Sequence, residues 1–332
     1  MSRPAVIAPR IPSGSLIRFY SQGLILERKD NIMKSVYRIF AVSSVIASVG
    51  WSQPADGVTG TLEHQVLATG SGRVALFEKD GTVLRTAKTG NNADAWYLEN
   101  GNILFADGKV AEVDKEGKIV WEYKPDCKRA DGAMSCQRLA NGNTVVGENG
   151  TEQVTEVDKA GKVVFTLKIK PQVKKNPHHV MRMCRKLDNG NYLVCHSGDH
   201  IVREYKPDGT VVFEYTCKSI AFAAVRLPNG NTMISSLDQV EEVTPKGEVV
   251  WSFSKTDLPD LSIRNMTGIH VLKSGNMIIG NYSAYDKKAK TGVGMFEITR
   301  EKKLVWAYVS PEFKDGSMMA VQKLDGDFNP LR

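Results

Sequence analysis

Several familiar devices are missing from this chain of 332 residues. No nucleophile elbow, phosphate-binding glycine loop or zinc-protease helix occurs in it, which removes the commonest signposts of hydrolase, nucleotide-binding and metalloprotease chemistry. Charge of one sign is also scarce. Residues 1–52 hold seven of the 44 Lys and Arg and two of the 37 Asp and Glu, so residues 53–332 carry 37 against 35. That balance leaves no basic patch for nucleic acid, and the alternating Lys and Asp of the turns read as a solvated rim. Long apolar runs are absent too, since Ile39–Trp51 is too short for a comfortable membrane span. Set behind Lys34 and Arg38 and ending in the small residues Gly50 and Ser52, it reads as a secretory signal peptide over 33–52. Residues 1–32 then read either as sequence upstream of the true start or as a real extension or transit peptide, and 53–63 as a linker. The expected location is secreted or periplasmic, with no membrane span left after the leader is removed.

What is present is repetition. A Leu-x-x-Gly-Asn turn occurs at Leu98–Asn102, Leu139–Asn143, Leu187–Asn191, Leu227–Asn231 and Leu272–Asn276, with a variant at Leu324–Asp327. A second turn and strand occur at Gly117–Trp121, Gly161–Phe165, Gly209–Phe213 and Gly247–Trp251, with relatives at Lys302–Trp306 and Gly81–Leu84. Between them lie β-branched runs, so each unit of about 40–50 residues reads as four short strands, a propeller blade. The two turns are offset. The first unit, near 64–88, lacks an opening strand, and the chain ends in an orphan one, Ser317–Leu324. Ring closure resolves both facts: an all-β, six-bladed β-propeller over 64–327, in which the C-terminal strand completes the first blade and buries the sheet edges.

Repetition separates scaffold from exceptions, because one ligand site does not need six copies. The column Trp121, Phe165, Phe213, Trp251 and Trp306 reads as packing between blades. Glu112, Glu156, Glu204, Glu242 and Glu297 read as hydrogen-bond acceptors or as partners of Arg138, Lys186, Arg226 and Lys323. The exceptions fall on the loop face, opposite the Asn-Gly turns, where propellers usually bind ligands. Four of the six histidines are there in the fourth unit: His178 and His179 before its opening strand, His196 and His200 around Asp199. With Leu187 pairing Tyr192, His179 falls opposite His200 and Met183 opposite His196. His196, Asp199 and His200 then offer a divalent-metal site or a general acid/base pair. In the sixth unit, Arg264 and Asn265 open the first strand and His270 lies further along it. With Tyr282 and Tyr285 they form a polar constellation suited to an anionic or sugar-like ligand.

The same register sets Cys184 opposite Cys195, either packed thiols or a bridge. Cys127 and Cys136 bracket one loop and are the expected disulfide, and Cys217 is left over.

The paired motifs R-L-x-N-G-N-T and E-V-x-x-x-G-K-V-V-W resemble the secreted bacterial propellers with pyrroloquinoline-quinone-like repeats and the neighbouring arylsulfotransferase propellers. The resemblance spans about 64–325. It implies six blades and, for arylsulfotransferases, a channel-facing histidine nucleophile with His and Arg companions. His178, His179 or His270, with Arg264 or Arg182, are the residues that fill those parts here. No counterpart of the N-terminal β domain of those enzymes is expected from this sequence. Quinone dehydrogenases have eight blades and cofactor contacts not found here, so pyrroloquinoline quinone is not expected. No cofactor is identified, though a divalent metal is compatible with the fourth-unit histidines. The reading is a monomeric propeller binding a small polar or anionic ligand, a glycan or a protein partner through its loop face. The alternatives are an arylsulfotransferase-like enzyme using His270 or His179 with Arg264, and a purely structural scaffold.

Overall fold

In each repeat the first three strands are buried at nearly every position, whereas the fourth mixes exposed and buried ones. Strands buried on both faces lose the alternation that a half-exposed strand keeps. The structure is a computed structural model described over residues 18–20, 23–25, 64–70, 72–89, 94–128, 132–172, 180–283, 293–308 and 318–324. Two compact units divide the chain, Met1–Val49 and Gly50–Arg332. The first contains an antiparallel pair, β1 (Arg18–Tyr20) and β2 (Gly23–Ile25).

The second unit contains six four-stranded antiparallel sheets. Blade 1 is β26 (Val321–Lys323), β3 (Val66–Gly70), β4 (Arg73–Phe77) and β5 (Val83–Lys88). Blade 2 is β6 (Asp94–Tyr97), β7 (Ile103–Ala106), β8 (Val110–Val113) and β9 (Ile119–Tyr123). Blade 3 is β10 (Ala133–Arg138), β11 (Thr144–Glu148), β12 (Gln153–Val157) and β13 (Val163–Lys168). Blade 4 is β14 (Cys184–Lys186), β15 (Tyr192–His196), β16 (Ile201–Tyr205) and β17 (Val211–Thr216). Blade 5 is β18 (Ala221–Arg226), β19 (Thr232–Ser236), β20 (Gln239–Val243) and β21 (Val249–Ser254). Blade 6 is β22 (Asn265–Val271), β23 (Met277–Tyr282), β24 (Met295–Ile298) and β25 (Leu304–Tyr308).

The opening strands β6, β10, β14, β18, β22 and β26 touch in that order, and β26 also touches β6, so the ring is closed. The closing strand pairs with β3 in the register Val321↔Ala68, Gln322↔Leu67 and Lys323↔Val66. The six-bladed propeller closed by the C-terminal strand is thus the observed fold. Space for the closing segment comes from Gly268, where a Cβ would stand 2.5 Å from the Met319 carbonyl oxygen.

The core fills the gaps between neighbouring blades. Alternate residues of one strand serve different gaps: Val66 and Ala68 pack with blade 6, and Leu67 packs with blade 2. The large rings of the fourth strands join these layers as expected, with Trp306 fully buried between blades 6 and 1. Every fourth strand carries a bulge against its neighbour, as at Glu156/Val157 opposite Phe165 and Val163. Bulges of this kind twist an exposed edge away from intermolecular pairing. No helix among the described residues is long and apolar enough to cross a membrane.

One register differs from expectation. Lys186 pairs with Tyr192 and Cys184 with Val194, so Cys195 faces Met183 rather than Cys184. The turn explains the shift. Leu187 N–H donates to Asn191 O (2.8 Å), Gly190 N–H donates to Leu187 O (2.9 Å), and Gly190 alone in the loop has positive φ, at 84°. That is a three-residue loop, a type I turn followed by a glycine bulge. Each one-residue slip in register exchanges the two faces of a strand.

Candidate functional site

At the turn end, each column glutamate is enclosed by the repeat itself. Glu204 Oε1 accepts from Asn189 Nδ2 (3.1 Å) and Asn191 Nδ2 (2.6 Å), and Oε2 accepts from Arg226 of the next blade (2.6 Å). Arg138 serves Glu112 at 2.7 Å, Lys186 serves Glu156, and Arg300 takes the place beside Glu242. Glu297 is bound by His64, 3.1 Å away, rather than by Lys323. The cations lie over the aromatic column, with Arg226 5.5 Å from Phe213 and Arg300 4.7 Å from Trp251. This is a seam repeated around the ring, with the acids nearly buried beneath part-exposed cations.

The opening strands carry a second repeated contact. Gln137 Oε1 accepts from Lys186 N–H (2.8 Å), and Gln322 Oε1 accepts from Tyr97 N–H (2.8 Å). His270 Nδ1 does the same for Lys323 N–H at 2.8 Å, with the residue only 1% exposed. His270 therefore stands in a repeated inter-blade contact near the turn end, well down β22 from the loop face where a nucleophile was expected.

The ring also holds one buried ion pair across three blades. Arg185 on β14 forks onto Asp94 on β6, NH1 to Oδ2 at 2.7 Å and NH2 to Oδ1 at 3.1 Å. Ser135 Oγ–H and Cys136 N–H donate to the same carboxylate at 3.0 and 3.1 Å, and the guanidinium lies 5.0 Å from the Trp96 ring. Burial works against the charge of Arg185, but the Asp94 carboxylate outweighs it and raises its pKa.

At the loop face the chemistry is different in each blade. Asn281, fully buried on β23, accepts through Oδ1 from the backbone N–H groups of Arg264 (3.0 Å) and Asn265 (3.2 Å). Its Nδ2 donates to Ser262 O (2.9 Å) and Val293 O (2.8 Å), so one amide fixes the segment that leads into β22. Arg264 is exposed there and donates to Ser283 O at 3.1 Å. Asn265 donates to Tyr282 O at 3.1 Å, and the Tyr282 side chain is exposed. Arg264, Asn265 and Tyr282 are thus brought together at one end of blade 6. In blade 4, half-buried Arg182 lies 5.7 Å from the Phe222 ring. His178, His179 and Tyr285 lie outside the described residues.

Two expectations are corrected. His196, Asp199 and His200 do not converge, and no group of three His, Cys, Asp or Glu among the described residues is placed to hold a metal. His196 points inward, its Nε2 2.7 Å from Tyr205 Oη, and burial pushes its pKa down to about 4. Asp199 instead accepts from Gln172 N–H at 2.9 Å, and His200 occupies a left-handed turn, φ 59°. The expected disulfide between Cys127 and Cys136 is not formed. Cys136 is buried between blades 2 and 3, whereas Cys127 packs against Gly150.

Asn281 and the Asp94–Arg185 pair escaped sequence reasoning. Asn281 left a trace: the fifth residue of the second strand is polar yet different in neighbouring blades, Glu148, His196, Ser236 and Asn281. Asp94 and Arg185 left none, because they are 91 residues apart and each is unique in its column.

Fold and site define a six-bladed β-propeller with a scaffolded turn end and an individual loop end. A family model described as Arylsulfotransferase (ASST) matches residues 82–220, from the outer strand of blade 1 through blade 4. That is less than half of the 332 residues. Among solved structures, a protein of unknown function from Bacteroides caccae is similar with a TM-score of 0.68 and 21% identity, covering 81% of this chain and 99% of that one. A streptogramin B lyase is similar with a TM-score of 0.53 and 12% identity, covering 80% and 87%. Likeness at these identities establishes the fold. No curated protein matches the chain.

Proposed function

We propose that the loop face binds a small organic anion of the aryl sulfate class, with Arg264 contacting its negative group. One observation carries the reading. Arg138, Arg185, Arg203, Arg226 and Arg300 each pair with a carboxylate, whereas the described partner of exposed Arg264 is the Ser283 carbonyl. A guanidinium held by its backbone, with donors left over, suits a sulfate or carboxylate oxygen. Asn265 and Tyr282 add polar groups beside it, and the leader at 33–52 supports export to where such compounds are met.

The family match favours a second reading, catalysis of sulfuryl transfer. The matched stretch includes His178, His179 and Arg182 and excludes His270 and Arg264. One of the paired histidines would attack sulfur, forming an N–S bond as the ester S–O bond breaks and the phenolate leaves. A second phenol would then take the sulfuryl group through its oxygen and lose its proton to solvent.

Titration of the full chain with nitrophenyl sulfate tests the first reading. Arg264→Ala should weaken binding about tenfold, the loss of one charge-assisted contact. Unchanged affinity, or no binding by the wild type, defeats it. Release of nitrophenolate in the presence of phenol tests the second. Turnover lost in both His178→Ala and His179→Ala single variants, or in one of them, supports it, and turnover absent from the wild type ends it.

A further inference from the structure

Tyrosine hydroxyls in the ring are spent inside it. Tyr123, Tyr192 and Tyr215 donate to Glu148, Glu156 and Glu241, Tyr205 meets His196, and Tyr308 donates to Gly81 O. Tyr282 breaks the rule. Among the described residues neither its ring nor its hydroxyl has a partner, and it is 40% exposed. The other exposed large apolar side chains, such as Val120, Val164, Val212 and Val250, are aliphatic and recur near the start of the fourth strands. Tyr282 is the one exposed aromatic ring among the described residues of the propeller, and it stands at the loop end.

Blade 6 extends its sheet to hold that ring. The second strand has five residues in blades 3, 4 and 5, whereas β23 has six. The inner pairs of blades 3 and 5 stop at Ala133↔Glu148 and Ala221↔Ser236. Blade 6 goes past the equivalent Met266↔Asn281 pair to one more, Asn265↔Tyr282. Side chains of such a cross-strand pair stand on one face of the sheet. The Arg264 guanidinium is tied to the carbonyl of Ser283, the residue next to Tyr282 (3.1 Å), and buried Asn281 accepts from the Arg264 and Asn265 N–H groups. An apolar ring face and a cation with donors to spare are therefore anchored one residue apart.

We propose that Tyr282 is the specificity-determining residue of this site, its ring packing on the aromatic ring of an aryl sulfate whose anionic group meets Arg264. The inference rests on the anion-binding reading given above and adds to it the choice of aryl over alkyl esters. One ester oxygen separates the ring of an aryl sulfate from its sulfur, so a single small ligand reaches both groups. Ring pairing favours an aromatic ligand beyond the apolar area that any chain of similar size would bury, whereas a guanidinium does not distinguish the two sulfates.

Titration of the full chain with nitrophenyl sulfate and with hexyl sulfate tests it, read as the ratio of the two affinities. The wild type should favour the aryl ester about fivefold. Tyr282→Leu keeps apolar bulk without the ring and should bring the ratio close to one, and Tyr282→Phe should restore it. Arg264→Ala should weaken both esters about tenfold alike. A wild type that binds neither sulfate ends the anion-binding reading and this inference together. Binding that depends on Arg264 but shows no aryl preference, or a preference that survives Tyr282→Leu, overturns this inference alone.

Discussion

The two ends of a blade are made from the same strands and behave differently. At the turn end, Glu204 and Glu242 are bound alike, each by two asparagines of its own turn and an arginine of the next blade. At the loop end, the equivalent second-strand residues do four separate things. Glu148 accepts from Tyr123, Thr151, Gln153 and Thr155, and His196 meets Tyr205. Ser236 donates to the Gln239 carbonyl, and Asn281 bridges four backbone groups. A contact that every seam requires is copied from blade to blade. Where copying stops, residues answer to something other than ring geometry, and Arg264 emerges from that end.

Asp94 and Arg185 challenge this division most strongly, because they are unrepeated yet sit within the ring. If they are scaffold, Asp94→Ala leaves a buried guanidinium without its carboxylate and should cost about 3–5 kcal/mol in urea denaturation. Asp94→Leu combined with Arg185→Met should recover most of that loss, since apolar replacement of a whole buried pair is often neutral. A single variant as stable as the wild type would mean that the pair serves something other than the fold.

The scaffold was legible in sequence because its signals repeat: the turn glycines, the aromatic column, the glutamates with their cations, and an opening strand missing at one end and present at the other. Register was less legible, since an Asn-Gly turn fits loops of different length and one residue of difference moved Cys184 away from Cys195. The histidines were misread for a related reason. His270 looked exceptional by residue type, yet it performs the task of Gln137 and Gln322, and a column of tasks is invisible until hydrogen bonds are seen. His196 looked like a loop ligand, but the strand runs one residue further than its flanking Ser-Gly-Asp suggests and carries the ring inside.

Acid should distinguish the two ends next. Burial holds His196 neutral and lowers its pKa from 6.5 to about 4. The unfolded chain then binds the proton first, so the stabilisation is complete above about pH 6.5 and is lost as pH falls towards about 4, by about 3 kcal/mol. The turn-end carboxyls of Glu242 and Glu297 are held below their ordinary value of 4.5 by hydrogen bonds that outweigh burial. Their contribution is present above that value and is lost only as pH falls below it. Denaturation midpoints followed against pH should therefore fall first through the loop end, and His196→Gln should flatten the upper part of the curve. A curve unchanged by that variant would place the early loss elsewhere.

Two arginines give the smallest and sharpest contrast. Arg226 at the turn end gives hydrogen bonds to Glu204 (2.6 Å) and Gly230 O (2.9 Å), and it covers Phe213. Arg226→Ala should cost about 1–2 kcal/mol, the range for charge-assisted bonds that are partly solvated, and leave nitrophenyl sulfate affinity as it was. Arg264 at the loop end is exposed and bonds one carbonyl, so Arg264→Ala should change stability by less than about 0.5 kcal/mol while weakening the same ligand. Denaturation and titration on both variants complete the comparison. If Arg264→Ala loses stability and not affinity, the loop end is scaffold as well, and the propeller's ligand must be sought on another surface.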